Sequence, residues 1–515
     1  MSSTDLVVIL GVLSLVVVWK MSSTTSQRHL TKIPGPPKQL LVGNLNDIPK
    51  EKAWIAYMKM SEQYGSDLLG LNVFGRNLII VNSLEAASDL FDGRSTIYNS
   101  RPRLVMLNEL IGFGYGMAFL PYGDHWRGTR KAFHQALGPE GLKRWTDIEM
   151  KGAHRLLRNF LEKPEDFMDH IRHMAAEIIM RLAYGIDVQP KDDPYVDIAD
   201  SGIRAIEASV SAGSYLVDSF PVLKHIPEWF PGARFQRQAK EWRVFALAML
   251  EKPYEFFKKH LEEGNVPYCA ANVLLERVGK SGQDSEETES IVKATLSSMY
   301  AGGADTTVST VATFILAMVQ YPECLKKAQA EVDRVVGPHR LPDMSDKSSL
   351  PYIEAIIQEC LRWQPVLPVA IPHELTQDDE YRGYFIPKGS LIFANAWSIL
   401  HDEKAYPNPD TFNPERFLMD GALNPNVRDP GVACFGFGRR ICPGRFMAKE
   451  SLYIIISSLV ATFNFQKAIG PDGVPITPKG EYTTELLNHP KPFPCNIKPR
   501  SEERASQVWA TANDL

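Results

Sequence analysis

Phe435–Gly444 reads FGFGRRICPG, a single cysteine set in a short run of glycines and arginines. Cysteines that hold zinc come in company, and structural zinc takes four ligands. At ligand spacing Cys442 has only Arg439, Arg440 and Arg445. Pro443 opens a pattern running through GRFMAKESLYIIISSLVATF that predicts a helix, so Cys442 stands at or just before a helix N-terminus. Free N–H groups and a partial positive charge at that end stabilise a thiolate.

Gly436, Gly438 and Gly444 let the backbone bend close to the sulfur and to a flat group bound there. One thiolate suffices for haem iron, whose four in-plane ligands belong to the porphyrin. Arg440 then has a task, as a partner for a haem propionate. The alternative is a surface loop with an inert or reactive thiol. Against it, F-x-x-G-x-R-x-C-x-G fixes Phe435, Gly438, Arg440, Cys442 and Gly444, a coincidence of roughly one in ten thousand per chain on average residue usage.

Further upstream, Thr288–Gln320 has no proline and stops at Pro322, which predicts one very long helix, apolar nearly all round and therefore buried. Its centre, GGADT at Gly302–Thr306, is unusual, because each mid-helix glycine costs about 1 kcal/mol against alanine. Small residues allow close approach to a flat group, and a threonine hydroxyl can bond a backbone carbonyl and open the helical ladder. Tight helix packing would explain the glycines but not the acid–alcohol pair. SSLPYIEAIIQECLRWQP predicts a second helix, with serine caps and Pro351 in its first turn. E-x-x-R occurs at Glu331/Arg334 and at Glu359/Arg362, and the first reads as a solvated helix face. WRGTR places Trp126 and Arg130 on one helical face.

The 515 residues, 44% hydrophobic and 23% charged, describe an ordinary globular protein, and a net charge of −5 disfavours nucleic acid as a partner. Six cysteines show no paired framework, and no N-x-S/T sequon occurs. Leu6–Trp19 is an uncharged apolar run of 14 residues, short against the ~17–25 of a full span. No small-residue cleavage site follows, so a retained anchor is favoured over a cleaved signal. Lys20, Arg28 and Lys32 follow the run while Asp5 precedes it, which leaves the body cytoplasmic. IPGPP, Ile33–Pro37, predicts a stiff elbow or a plain linker. LLGLNVF and NLIIVNS predict two short strands around Gly75-Arg76, and residues 140–285 read as mostly helical with little chemistry.

With these stretches quoted, the chain resembles the cytochrome P-450 family of haem-thiolate monooxygenases from Ile33 onward. PHELTQDDEYRGYFIPKG and NAWSILHDEKAYPNPDTFNPERF are similar to fungal microsomal members related to O-methylsterigmatocystin oxidoreductase. The resemblance implies a mainly α fold with a small β region, and a single catalytic domain over 33–515 behind an anchor and flank at 1–32. It implies a long central helix over haem b (iron protoporphyrin IX), with Cys442 as the axial iron ligand. Asp305 and Thr306 would relay protons. Trp126, Arg130, His373 and Arg440 would reach the propionates, with Phe435 and Gly444 in the haem loop. Glu359, Arg362 and Arg416 would form a structural charge network.

The implied activity is insertion of one oxygen atom of O2 into a C–H bond of a lipophilic small molecule. By the resemblance that molecule is a fungal secondary metabolite, a terpenoid or polycyclic scaffold first, an aromatic or indolic metabolite or a xenobiotic second. A haem sensor without turnover, or an isomerase or dehydratase that uses no O2, fits the acid–alcohol pair less well. Electrons would come from NADPH through a separate membrane-bound NADPH-cytochrome P-450 reductase, with cytochrome b5 as an optional second donor. Arg127, Lys131, Arg439, Arg445 and Lys449 would be its basic contacts, at the endoplasmic reticulum membrane. By family position, 101–114, Met299, Tyr300, Val366–Ile371 and Thr483–Leu487 would line the pocket.

Overall fold

The computed structural model describes residues 31–210, 215–278 and 285–514; the run Leu6–Trp19 with Asp5, Lys20 and Arg28 lies outside the described residues. The chain is mainly helical. The helices that frame the site are α1 (Asp124–Leu137), α2 (Thr146–Glu162), α3 (Phe167–Tyr184), α4 (Pro194–Val210) and α5 (Arg234–Glu262), followed by α6 (Ser285–Gly303), α7 (Thr306–Gln320), α8 (Pro322–Val335), α9 (Pro351–Trp363) and α10 (Arg445–Thr462). Every residue from Val308 to Val319 is buried, which puts α7 through the centre of the main core.

The single long helix expected over Thr288–Gln320 is two. Thr306 Oγ1 donates to the Gly302 carbonyl at 2.6 Å, and the regular helix is interrupted by a turn at Ala304 and Asp305 between α6 and α7. The hydroxyl competes for a carbonyl that the backbone would otherwise use. Glu286–Gln320 is long and apolar enough to cross a membrane, but 72% of its most apolar window is buried inside the protein. It is a core element.

A small sheet flanks the helices. Strands β1 (Leu68–Val73) and β2 (Arg76–Val81) form a hairpin. Its two-residue turn is Phe74-Gly75, both with positive φ (49° and 83°), as the twist of a tight hairpin requires. Arg76 thus belongs to β2 and not to the turn. β2 runs parallel to β4 (Leu391–Ala394), and β4 pairs antiparallel with β3 (His373–Glu374). Glu374 bridges to Ser100, so His373 is brought beside the segment before Arg101. The IPGPP elbow docks on this sheet: Gly70 N–H donates to the Pro34 carbonyl at 2.8 Å, and a Cβ on Gly35 would lie 2.0 Å from the Gly70 oxygen.

Two local expectations are corrected. The serines before Pro351 do not cap α9, because they sit in the preceding 3-10 turn, Met344–Ser349, and the N-cap is Leu350. Glu331 does that work instead, accepting the N–H groups of Tyr352 and Ile353 at 3.0–3.2 Å. It is therefore half-buried against α9 and not on a solvated face, whereas Arg334 is exposed. Glu359 and Arg362 form a two-pronged pair, 2.7 and 2.8 Å, with both side chains fully buried. Arg416 joins Glu359 at 3.2 Å, and the carbonyls of Leu400, Pro407 and Pro409 take the remaining guanidinium donors. A buried charge pair holds only when its leftover polar atoms are bonded in this way.

Candidate active site

The cysteine loop is closed on itself. Cys442 N–H donates to the Phe435 carbonyl at 2.7 Å, and Gly436 and Gly438 both have positive φ. At Gly438 a Cβ would lie 2.1 Å from the Phe91 carbonyl oxygen, so only glycine fits there. α10 starts at Arg445 with Gly444 as N-cap, which sets Cys442 two residues outside the cap. Burial pushes the Cys442 thiol up, and the N–H groups of Gly444 and Arg445 with the Arg130 and Arg445 charges oppose it. Cys434 also reaches the cavity; burial pushes its thiol far up, with the Asp429 charge adding to it. Of the two, only Cys442 has arginine charges and helix-end N–H groups that oppose burial.

Across a cavity of about 370 Å3 stands the break between α6 and α7. Its two glycines have different reasons. A Cβ on Gly303 would meet Ile179 of α3 at 2.8 Å, a packing constraint, while a Cβ on Gly302 would meet nothing within 4 Å. Gly302, Gly303, Thr306 and Thr307 line the cavity and Asp305 does not. The Asp305 carboxylate turns to His489, Oδ2 to Nε2 at 3.0 Å.

The third wall is cationic. Arg440 is buried with its guanidinium 4.3 Å over the Trp126 ring. It donates to the carbonyls of Asn99 (2.7 Å), Leu120 (2.8 Å) and Met117 (3.5 Å). Arg130 donates to the Ile441 carbonyl. Arg101, which the sequence suggested only as part of a pocket-lining stretch, is buried and donates to the carbonyls of Ala118, Ile371 and Pro372. His373 Nδ1–H donates to the Tyr98 carbonyl at 2.6 Å, and its ring lies 4.5 Å from Phe91. In the neutral ring Nε2 then carries no proton. Burial, helped by Arg101 and Arg440, holds its pKa well below the usual histidine range. The donor role toward an anion therefore falls first to the arginines.

These residues fit haem. Arg101, Arg130 and Arg440 have no acidic side chain for a partner among the described residues, and burial pulls all three pKa values down. Unpaired buried cations are unfavourable by several kcal/mol, and the two carboxylates of a porphyrin would supply the missing charge. No group of three or more His, Cys, Asp or Glu among the described residues could hold a bare metal ion. A thiol such as Cys442, facing a cavity with glycines in its wall and no second ligand cluster, suits a metal that brings its other ligands with it.

Val366, Leu367, Ala370, Ile371, Leu486 and Leu487 line the cavity. Tyr300 does not; its hydroxyl donates to the Tyr195 carbonyl, which draws the ring into the core. The region between 140 and 285, silent in the sequence, supplies Ile178 and Ile179 from α3 and Ile203, Ile206 and Glu207 from α4. Helical patterning alone did not say which face of α4 meets the cavity. On the cysteine side Arg127, Lys131 and Arg439 are exposed, and Arg445 and Lys449 half-buried. Arg127 pairs with Asp124 and Lys449 with Asp429.

A sequence model described as Cytochrome P450 matches residues 33–496. The chain is 40% identical over 518 residues to a cytochrome P450 monooxygenase, number 98, of Postia placenta, covering 100% of this chain and 99% of that one. It is 40% identical to a cytochrome P450 monooxygenase of Armillaria gallica, with 98% of each chain covered. It is also 40% identical over 482 residues to the tryptamine 4-monooxygenase of Psilocybe cyanescens, covering 92% of this chain and 94% of that one.

Proposed function

The chain belongs to the cytochrome P450 family of haem-dependent monooxygenases, and we propose that Cys442 is its axial haem ligand, with Thr306 on the opposite, oxygen-handling wall. The observation that carries this reading is the arrangement of one favoured thiol and three unpaired arginines around a single cavity. Haem bound through a thiolate supplies the electron push that cleaves dioxygen. The chain's own residues do the rest. Arg101, Arg130 and Arg440 would hold the haem carboxylates, Gly302 would leave room for the flat ring, and Phe435 and Gly444 would shape the cysteine loop. Thr306 presents a hydroxyl to the cavity, and Asp305, paired with His489, stands behind it as the next station for a proton.

The substrate is read as a lipophilic small molecule, because apolar side chains, aliphatic and aromatic, line most of the wall. A fungal secondary metabolite of terpenoid or polycyclic type is the first choice. An aromatic or indolic molecule is the second, favoured by likeness to the tryptamine 4-monooxygenase of Psilocybe cyanescens. Electrons come from a reductase. We read it as an NADPH-dependent flavoprotein docking beside Arg439 and Lys131, with the body held at the endoplasmic reticulum membrane by Leu6–Trp19.

A carbon monoxide difference spectrum of the reduced protein tests the ligand. The long-wavelength thiolate band is expected in the wild type and in Cys434→Ser, and is expected to vanish in Cys442→Ser. Its survival in Cys442→Ser would overturn the assignment.

A further inference from the structure

On α4, Ile203, Ile206 and Glu207 lie at i, i+3 and i+4 and share the face that meets the cavity. Two are apolar. The third is a carboxylate. Leu487 N–H donates to its Oε1 at 3.3 Å, and the titratable groups near enough to act on it electrostatically are Glu485, Asp305 and His489. The first two are acids, and His489, the one base, is already bound to Asp305 at 3.0 Å. No lysine or arginine among the described residues pairs with Glu207. A glutamine would make the same bond to Leu487 without a charge to bury. The carboxylate is thus a cost that the protein's own side chains do not offset.

We propose that Glu207 pairs with a cationic amine on the substrate, so that the pocket selects an apolar ring system carrying one basic nitrogen. This deepens the monooxygenase reading and rests on it. Isoleucines and leucines take the ring body, and the ion pair at Glu207 fixes which end of the molecule is turned toward Thr306. Burial, with the Glu485 and Asp305 charges adding to it, holds the carboxyl up to about 7. A cation entering beside it favours the ionised form.

The test uses the haem-loaded full chain and two probes of equal shape. One is N,N,N-trimethyltryptammonium, whose quaternary nitrogen cannot ligate iron. The other is its uncharged carbon isostere, with a tert-butyl group in place of the trimethylammonium. Affinities are read by calorimetry. An apolar cavity without a counter-charge rejects the ion, because the cation alone loses its hydration. The wild type is expected to bind the ammonium at least about tenfold more tightly than the isostere. Glu207→Gln is expected to erase or invert that preference while leaving the isostere within about twofold. Equal or inverted preference in the wild type overturns the proposal without recourse to any variant. So does a Glu207→Gln protein that keeps the preference. The carbon monoxide band of the same preparations reports the haem-thiolate reading separately, so failure of the ion pair and failure of the ligand assignment are distinguishable.

Discussion

Asp305 Oδ2 and His489 Nε2 stand 3.0 Å apart behind the wall that Thr306 presents to the cavity. The acid of the acid–alcohol pair is therefore tethered by a residue 184 positions away in sequence. The backbone at His489 is itself fixed, its main-chain N–H donating to Thr483 Oγ1 at 2.9 Å. A carboxylate held in this way reaches the Thr306 side only by turning away from the imidazole, whose Nδ1 is buried with no hydrogen-bond partner among the described residues.

Two variants separate these parts. Thr306→Val removes the hydroxyl that opens the helix, and product per NADPH consumed is expected to fall by about tenfold or more, with the carbon monoxide band unchanged. His489→Gln keeps a polar partner for Asp305 but no titrating one. It is expected to raise the solvent isotope effect on turnover while leaving the affinity for substrate unchanged. Unchanged coupling in Thr306→Val would remove it from proton handling.

The neighbouring glycines are expected to answer differently to the same added methyl group. Gly303→Ala drives a Cβ to 2.8 Å from Ile179 and is expected to destabilise the fold by about 1–3 kcal/mol. Gly302→Ala meets no protein atom, and as a helix substitution it is expected to stabilise the apoprotein by up to about 1 kcal/mol. Haem binding is expected to weaken in Gly302→Ala, where the methyl group enters the cavity. Thermal unfolding of apoprotein beside haem titration reads both effects.

Arg101→Gln removes a cation that has no partner in the protein. The apoprotein is expected to keep its helical circular dichroism, because a glutamine still donates to one or two of the three carbonyls now served by Arg101. Loss of a charge-assisted bond to a propionate is worth about 1.5–3 kcal/mol. Haem transfer to an acceptor protein is therefore expected to run roughly 10–100-fold faster in the variant.

Glu149 of α2 is buried, with one oxygen bonded to Ser451 of α10 and the other without a partner. Burial pushes its carboxyl up to about 8. The folded chain thus holds a proton that the unfolded chain has already lost, and stability falls as pH rises from the ordinary carboxyl value toward 8. Glu149→Gln does not titrate. Its advantage over the wild type is expected to grow between pH 5 and 8 to about 2–4 kcal/mol, then to level off, in unfolding curves recorded across that range. A constant offset would show that Glu149 ionises in the fold as readily as in the unfolded chain, with no upward shift.

Much of the site is legible because its chemistry is local. FGFGRRICPG encodes a turn, a helix end and a thiol within ten residues, and the turn geometry depends on glycines that no distant contact could replace. Trp126 and Arg130 follow from a helical repeat. The break at Ala304–Asp305 was half legible: the threonine that opens the ladder was visible, but the length of the pattern suggested an unbroken helix. The serines ahead of Pro351 misled for a similar reason. Capping depends on backbone angles that the preceding 3-10 turn had already set, and the N–H groups went to Glu331.

The sequence by itself determined the family, the thiol and the order of the motifs, since each is written in residues a few positions apart whose spacing is fixed by helix and turn geometry. Only the tertiary structure decided that Arg101 and Arg440 share one wall, that Asp305 faces His489, and that Glu207 reaches the cavity. Those pairings join positions tens to hundreds of residues apart. Their energies come from burial and from unmatched charge, quantities that exist only once the chain has closed around the site.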